Sequence, residues 1–279
     1  MDHPTVAVLH PGSMGAAVAS CAATNAAHVL WCPAGRSPAT AARAQLHGLE
    51  PVADLKQMLA RADVLLSLCP PVAAEDVAGD IAELRFTGLY VEANAIAPER
   101  VQRIAARLPR ARAVVDAAVV GSPPTGGKVA TLYLSGPASA ADEIEELFAG
   151  TAVRTRVLGA ELGQASALKL AYSTFQKVSR LLAALSLGVA REHDVDQELL
   201  AIASRRAGTY LAEPEYVAKT ASRAWRWGPE MEEAAATLAA AGLPDDVLRA
   251  AARTLERWHD CKDDGELTLD TALDRLARP

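Results

Sequence analysis

The feature that most constrains this chain is a change of hydrophobic period near Gly159. Before it, short apolar runs alternate with segments of helical spacing. The runs Thr5–Leu9, His28–Cys32, Val64–Leu68, Leu89–Val91, Ala113–Ala117, Ala130–Leu134 and Val153–Leu158 read as strands. Met14–Thr24, Leu55–Ala62, Val72–Leu84, Pro98–Leu108 and Ala138–Phe148 read as the helices between them. Strands alternating with helices of this length predict a doubly wound, mostly parallel α/β sheet built from right-handed crossovers. After Gly159 the β-rich runs stop, and Glu161–Glu192 reads as one long helix joining the sheet to an all-α domain. The expected domains are residues 1–159 and 160–279, with Pro214, Gly228, Gly242–Leu243–Pro244 and Gly265 punctuating the later helices.

Only 4% of the 279 residues are aromatic, so Ala, Leu and Val must fill the core. The formal charge of −6 argues against a nucleic-acid binder that works by neutralising phosphates. Cys21, Cys32, Cys69 and Cys261 form no CxxC and no His-paired metal-ligand spacing, so no metal site is expected. Neither a leader pattern nor an apolar run of membrane-spanning length is visible, which predicts a soluble cytoplasmic protein.

Strand Val6–Leu9 runs into His10-Pro11-Gly12-Ser13-Met14-Gly15 and then an alanine-rich helix. This is a GxGxxG frame with His10 at its first glycine, in the strand–turn–helix context of a Rossmann-type dinucleotide site. Gly12 would admit a pyrophosphate, Gly15 would let the helix pack on its strand, and the helix-start amides would face the anion. After the second strand, where an NAD site carries an acid, the chain has Arg36 and Ser37. A guanidinium and a hydroxyl there suit a 2′-phosphate and point to NADP.

Four later segments fall in the order found in the β-hydroxyacid dehydrogenases, the group of 3-hydroxyisobutyrate and 6-phosphogluconate dehydrogenases. Leu68-Cys69-Pro70-Pro71 resembles the stretch running along the cofactor, and Glu92-Ala93-Asn94-Ala95-Ile96-Ala97-Pro98 resembles the segment with an Asn before a helix start. Asp116-Ala117-Ala118-Val119-Val120-Gly121-Ser122 is similar to the substrate segment D-A-P-V-S-G-G. Gly163-Gln164-Ala165-Ser166-Ala167-Leu168-Lys169 is similar to the segment bearing the catalytic lysine. The resemblance implies Cys69, Pro70 and Asn94 at the cofactor, Gly121 and Ser122 at the substrate, and Lys169 as general acid/base. Departures are His10, Val120 at the usual serine, and Ser173 at the usual asparagine. The run from Ser166 to Lys177 looks most like a phosphogluconate-dehydrogenase-like branch with its own C-terminal domain.

Helical spacing puts Lys169, Tyr172, Ser173, Gln176, Lys177 and Arg180 on one face, with Leu168, Phe175, Leu182 and Leu185 around the rest. That polar stripe is either solvent cover or the lining of a cleft or subunit boundary. In the cleft reading Lys177 supplies a cation or binds a substrate anion, and Ser173 hydrogen-bonds substrate or lysine. Trp227 is either a wall of the substrate pocket, reaching a partner subunit, or helix–helix packing. Asp116 is as fit for a structural role as for a substrate role. His28, His47, His193 and His259 show no convincing partners. The expected function is NADP-dependent hydride transfer to or from a small 3-hydroxy acid or related hydroxy-anion, in a homodimer packed through the long helix. The alternatives are an imine-reductase-like NADPH enzyme, for which Tyr172 speaks, and a non-catalytic cofactor-binding protein.

Overall fold

The computed structural model describes residues 3–192, 194–205, 213–240 and 244–278. His193, Gly242 and Leu243 lie outside them. The first part is an eight-stranded sheet of order β3-β2-β1-β4-β5-β6-β7-β8. Its strands are β1 (Thr5–Leu9), β2 (His28–Trp31), β3 (Glu50–Pro51), β4 (Val64–Ser67), β5 (Leu89–Glu92), β6 (Ala113–Gly121), β7 (Ala130–Ser135) and β8 (Val153–Gly159). Every pair is parallel except β6 with β7. The intervening helices are α1 (Ser13–Ala22), α2 (Pro38–Leu46), α3 (Leu55–Arg61), α4 (Ala74–Glu83), α5 (Pro98–Arg107) and α6 (Ala138–Phe148).

Successive residues of one strand enter opposite cores. Val6 and Val8 join a core with Ala16, Ala19 and Ile144 of α1 and α6. Ala7 and Leu9 join one with Met58, Ile81 and Ile104 of α3, α4 and α5. Burial on both faces is why these strands read as unbroken apolar runs. Two elements were not anticipated, the two-residue β3 and the α2 helix, and β6 extends four residues beyond the expected Ala117.

The later helices are α7 (Gln164–Glu192), α8 (Asp196–Ser204), α9 (Glu215–Ala221), α10 (Ala224–Ala240), α11 (Asp246–Leu255) and α12 (Leu269–Ala277). The chain divides into compact units Met1–Lys169 and Leu170–Pro279, so the boundary falls inside α7 and not at Gly159. The first turns of α7 belong to the sheet because the Asp116 side chain and the Val119 carbonyl of β6 bind them, as described below. The second unit has its own core, including Leu181, Leu187, Trp227, Met231, Leu248, Leu255, Trp258 and Leu273. The break expected at Gly228 does not occur: α10 continues through Gly228 and Pro229. Pro229 costs the helix one backbone bond, and burial of Trp227, Met231, Ala234 and Ala235 along the same helix holds it together.

Candidate functional site

The turn after β1 is tight, with the Gly12 amide donating to the His10 carbonyl at 2.6 Å. His10 stands at φ 60°, the left-handed region where a glycine is unstrained and a histidine is not. Gly15 has a packing reason: a Cβ there would meet the His10 carbonyl oxygen at 3.0 Å and the Leu68 Cβ at 3.4 Å. Gly12 has no such reason, since a Cβ would approach only the His10 carbonyl, at 3.9 Å. The space beside Gly12 is therefore open to a ligand. Gly12 caps α1 without a side-chain bond, and no acidic residue occupies the first turn. The first amides of the helix, from Ser13 onward, thus keep their donors and positive dipole end for an anion. Pro11 is buried, Ser13 exposed, and Met14 packs on the core.

Two buried polar atoms near this turn, His10 Nδ1 and Arg36 Nε, have no hydrogen-bond partner among the described residues. Burial and, less, the neighbouring Arg36 guanidinium together lower the imidazole pKa from 6.5 to about 4. The ring is uncharged at neutral pH. Ser37 caps α2, its Oγ accepting from the Thr40 amide at 3.2 Å, so its hydroxyl is already part of the helix start. Arg43, one face of α2 later, donates to the Pro11 carbonyl at 3.3 Å and ties α2 to the turn. Sequence reasoning passed over Arg43 because α2 itself went unread.

The ends of β4 and β5 carry a buried polar group. Asn94 donates through Nδ2 to Ser67 Oγ at 3.1 Å and through its amide to Glu92 Oε1 at 3.0 Å, and its Nδ2 also contacts that carboxyl oxygen. Its Oδ1 is buried without a partner, so that oxygen is what Asn94 can offer a ligand. Burial pushes the Cys69 thiol up to about 12, with the negative charge of Glu92 adding to it, so Cys69 is an uncharged wall; Pro70 beside it is exposed. Burial also pushes Glu92 up to about 8, against the lowering effect of the Asn94 hydrogen bonds. The folded chain therefore keeps a proton that the unfolded chain, with its carboxyl near 4.5, has released. Stability contributed by this group is intact below the unfolded value and declines as pH rises toward the folded value, by at most about 1.4 kcal/mol per pH unit. Urea midpoints taken at about pH 5 and about pH 8.5 should fall less in Glu92→Gln than in the unmodified chain. Parallel declines in the two proteins would mean Glu92 is ionised in the fold.

Asp116, fully buried on β6, anchors the start of α7. Its Oδ2 accepts from the Gly163 and Ser166 amides and from Ser135 Oγ, each at 3.0 Å, and its Oδ1 accepts from Ser166 Oγ at 2.6 Å. Three residues further on both elements, Lys169 Nζ donates to the Val119 carbonyl at 2.8 Å. Asp116 is thus a helix cap reaching in from a strand, and it sets the lysine at the end of β6. Gly121 and Ser122 follow, both exposed. Gly121 stands at φ 125°, and a Cβ there would press on the Val129 carbonyl at 3.2 Å, so backbone turning requires the glycine.

In the second unit, Ser173 is 1% exposed and Lys177 8%, whereas Phe175 is 71% and Leu182 56% exposed. These two residues of the polar stripe of α7 are therefore not solvent cover, whereas Tyr172 is exposed. Lys177 forms an ion pair with Glu230 of α10 and lies 5.6 Å over the Trp227 ring. The cation or anion-binding role expected of Lys177 thus meets a matching carboxylate, Glu230, in the fold. Trp227 is buried among helix-packing residues, the second of the two placements expected for it. Three of the histidines also have partners after all, His28 with Glu50 at 2.8 Å, His47 with Ser20 at 3.2 Å and His259 with Asp260 at 2.8 Å.

Residues 190–258 match a family model described as a domain of unknown function, DUF1932. An uncharacterized 28.5 kDa protein of Methanothermus fervidus is 28% identical over 177 residues, 63% of this chain and 67% of its own. Among solved structures, 3-hydroxyisobutyrate dehydrogenase of Salmonella typhimurium superposes with a TM-score of 0.73 at 17% identity, covering 97% of this chain and 99% of that one. The 3-hydroxyisobutyrate dehydrogenase of Mycobacterium tuberculosis with L-serine superposes at 0.71 and 18% identity, covering 100% of both chains. The chain has the fold of the 3-hydroxyacid dehydrogenases. No helix among the described residues is long and apolar enough to cross a membrane.

Proposed function

We propose that this chain, built on a dehydrogenase fold, is an NADP-dependent oxidoreductase that oxidises a small 3-hydroxy acid, or reduces the corresponding carbonyl, with Lys169 as general acid/base. The observation that carries the reading is Lys169 itself. Its Nζ is held on the Val119 carbonyl by a helix whose first turn Asp116 fixes. A neutral amine that donates one N–H to a carbonyl still has its lone pair to accept the substrate hydroxyl proton. In the reverse direction the same nitrogen returns that proton to the carbonyl oxygen. The nicotinamide cofactor, when bound, accepts or supplies the hydride at the adjacent carbon.

The open space at Gly12, the uncapped start of α1 and the orphaned atoms of His10 and Arg36 all fit a dinucleotide. With Lys177 engaged by Glu230, the substrate carboxylate falls to the Gly121 and Ser122 amides and the Ser122 hydroxyl, at the C-terminal end of a strand. L-serine, present with the Mycobacterium tuberculosis enzyme, is itself a 3-hydroxy acid, which supports this substrate class. Calorimetry with NADPH and NADH, followed by turnover assays on 3-hydroxy acids and on cyclic imines, tests the reading. Tighter binding of NADPH with turnover of a hydroxy acid is expected. Absent cofactor binding, or turnover of imines alone, would overturn it.

A homodimer belongs to the same proposal. Leu168, Tyr172, Phe175 and Leu182 recur at helical spacing along α7 and are all exposed, forming an apolar stripe a second copy can match about a two-fold axis. Sedimentation velocity at micromolar concentration should give a dimer that Phe175→Glu dissociates; a monomeric unmodified chain refutes it.

A further inference from the structure

Two of the unpartnered buried polar atoms in the first unit, His10 Nδ1 and Arg36 Nε, come from neighbouring loops, one after β1 and one after β2. The two side chains are close enough for the guanidinium to disfavour a proton on the imidazole. The backbone adds a third observation. His10 holds φ 60°, which a glycine would adopt freely and a histidine adopts at a cost of roughly 1 kcal/mol. Among the described residues nothing compensates that cost through Nδ1, so its partner is sought outside the chain.

We propose that the His10 imidazole and the Arg36 guanidinium together grip the 2′-phosphate of the adenosine half of NADP, making His10 a specificity-determining residue. The inference rests on the cofactor reading above and assigns to His10 a role beyond its place in the glycine frame. Arg36 supplies charge, and the uncharged ring supplies an N–H donor from Nδ1. Arg36 follows β2, where dinucleotide folds put the group that reads the ribose hydroxyls, and His10 follows the neighbouring strand β1. The pyrophosphate goes elsewhere, to the amides that follow Gly12. A bulky residue at the first glycine is then part of the phosphate grip.

Titration calorimetry of the full chain with 2′,5′-ADP and with 5′-AMP as probes separates this from the broader reading. The unmodified chain should prefer 2′,5′-ADP. His10→Gly relieves the backbone and should cut that preference about tenfold, the worth of one hydrogen bond to a charged group. His10→Asn tolerates the same backbone region and retains a donor, so it should lose less. In an Arg36→Ala background the His10→Gly change should have a much smaller effect, because both residues hold one phosphate. An unchanged preference in His10→Gly overturns the inference. So does tighter binding of both probes, which would mark the ring as an obstruction. An unmodified chain that does not distinguish the probes overturns the NADP assignment itself.

Discussion

Lys169→Met lowers hydroxy-acid turnover by roughly 10²–10⁴-fold while NADPH affinity stays within about twofold of the unmodified protein. The substitution keeps the apolar stem and deletes only the titrating nitrogen. The Val119 carbonyl loses one donor at a half-buried position, and the cap on α7 made by Asp116 is untouched. The phosphate contacts proposed for the cofactor lie at the turn after β1 and the loop after β2, separated from β6 in the sheet by β4 and β5. Single-turnover kinetics beside calorimetry separates the two effects. Near-normal turnover would move the chemistry away from Lys169, and a matched loss of binding would point to damaged structure.

Asp116→Ala should cost roughly 3–5 kcal/mol of stability, read as a lower urea midpoint at unchanged denaturant slope. Four donors converge on this one carboxyl, and truncation leaves the Gly163 and Ser166 amides and two hydroxyls buried without it. Asp116→Asn should also be destabilising, because its amide nitrogen cannot accept from the donors that surround it. A midpoint unchanged in both variants would mean that other groups cap the helix.

Much of the sheet was legible because strands buried on both faces read as continuous apolar runs, as Val64–Ser67 does. The α2 helix was not, since Ser37-Pro38 looks like a loop and, of the helix, only Ala44 is buried. Lys169 could be picked out by resemblance to a known segment. Its partner Val119 could not, being fifty residues away on another element. Periodicity correctly grouped the polar residues of α7 but was silent on what covers them. Hence the burial of Ser173 and Lys177, and the pairing of Lys177 with Glu230, became visible only in three dimensions. The sign of the His10 departure was likewise hidden: a missing glycine in the frame looks like a defect until its ring and Arg36 are seen with unpartnered nitrogens.

The twin bonds from β6 to α7 bear on the order in which the molecule assembles. Asp116 with Ser166 and Val119 with Lys169 are each separated by fifty residues, a span that includes β7, α6 and β8. Such contacts repay the entropy of a long closed loop only after the intervening strands have docked, so they form late. The Lys169 nitrogen is therefore positioned in one of the last events of folding. A nascent chain or a partly opened one has organised β1 to β5 before it has fixed Lys169 on Val119. Amide exchange at Gly163 and Ser166 would report that final step directly.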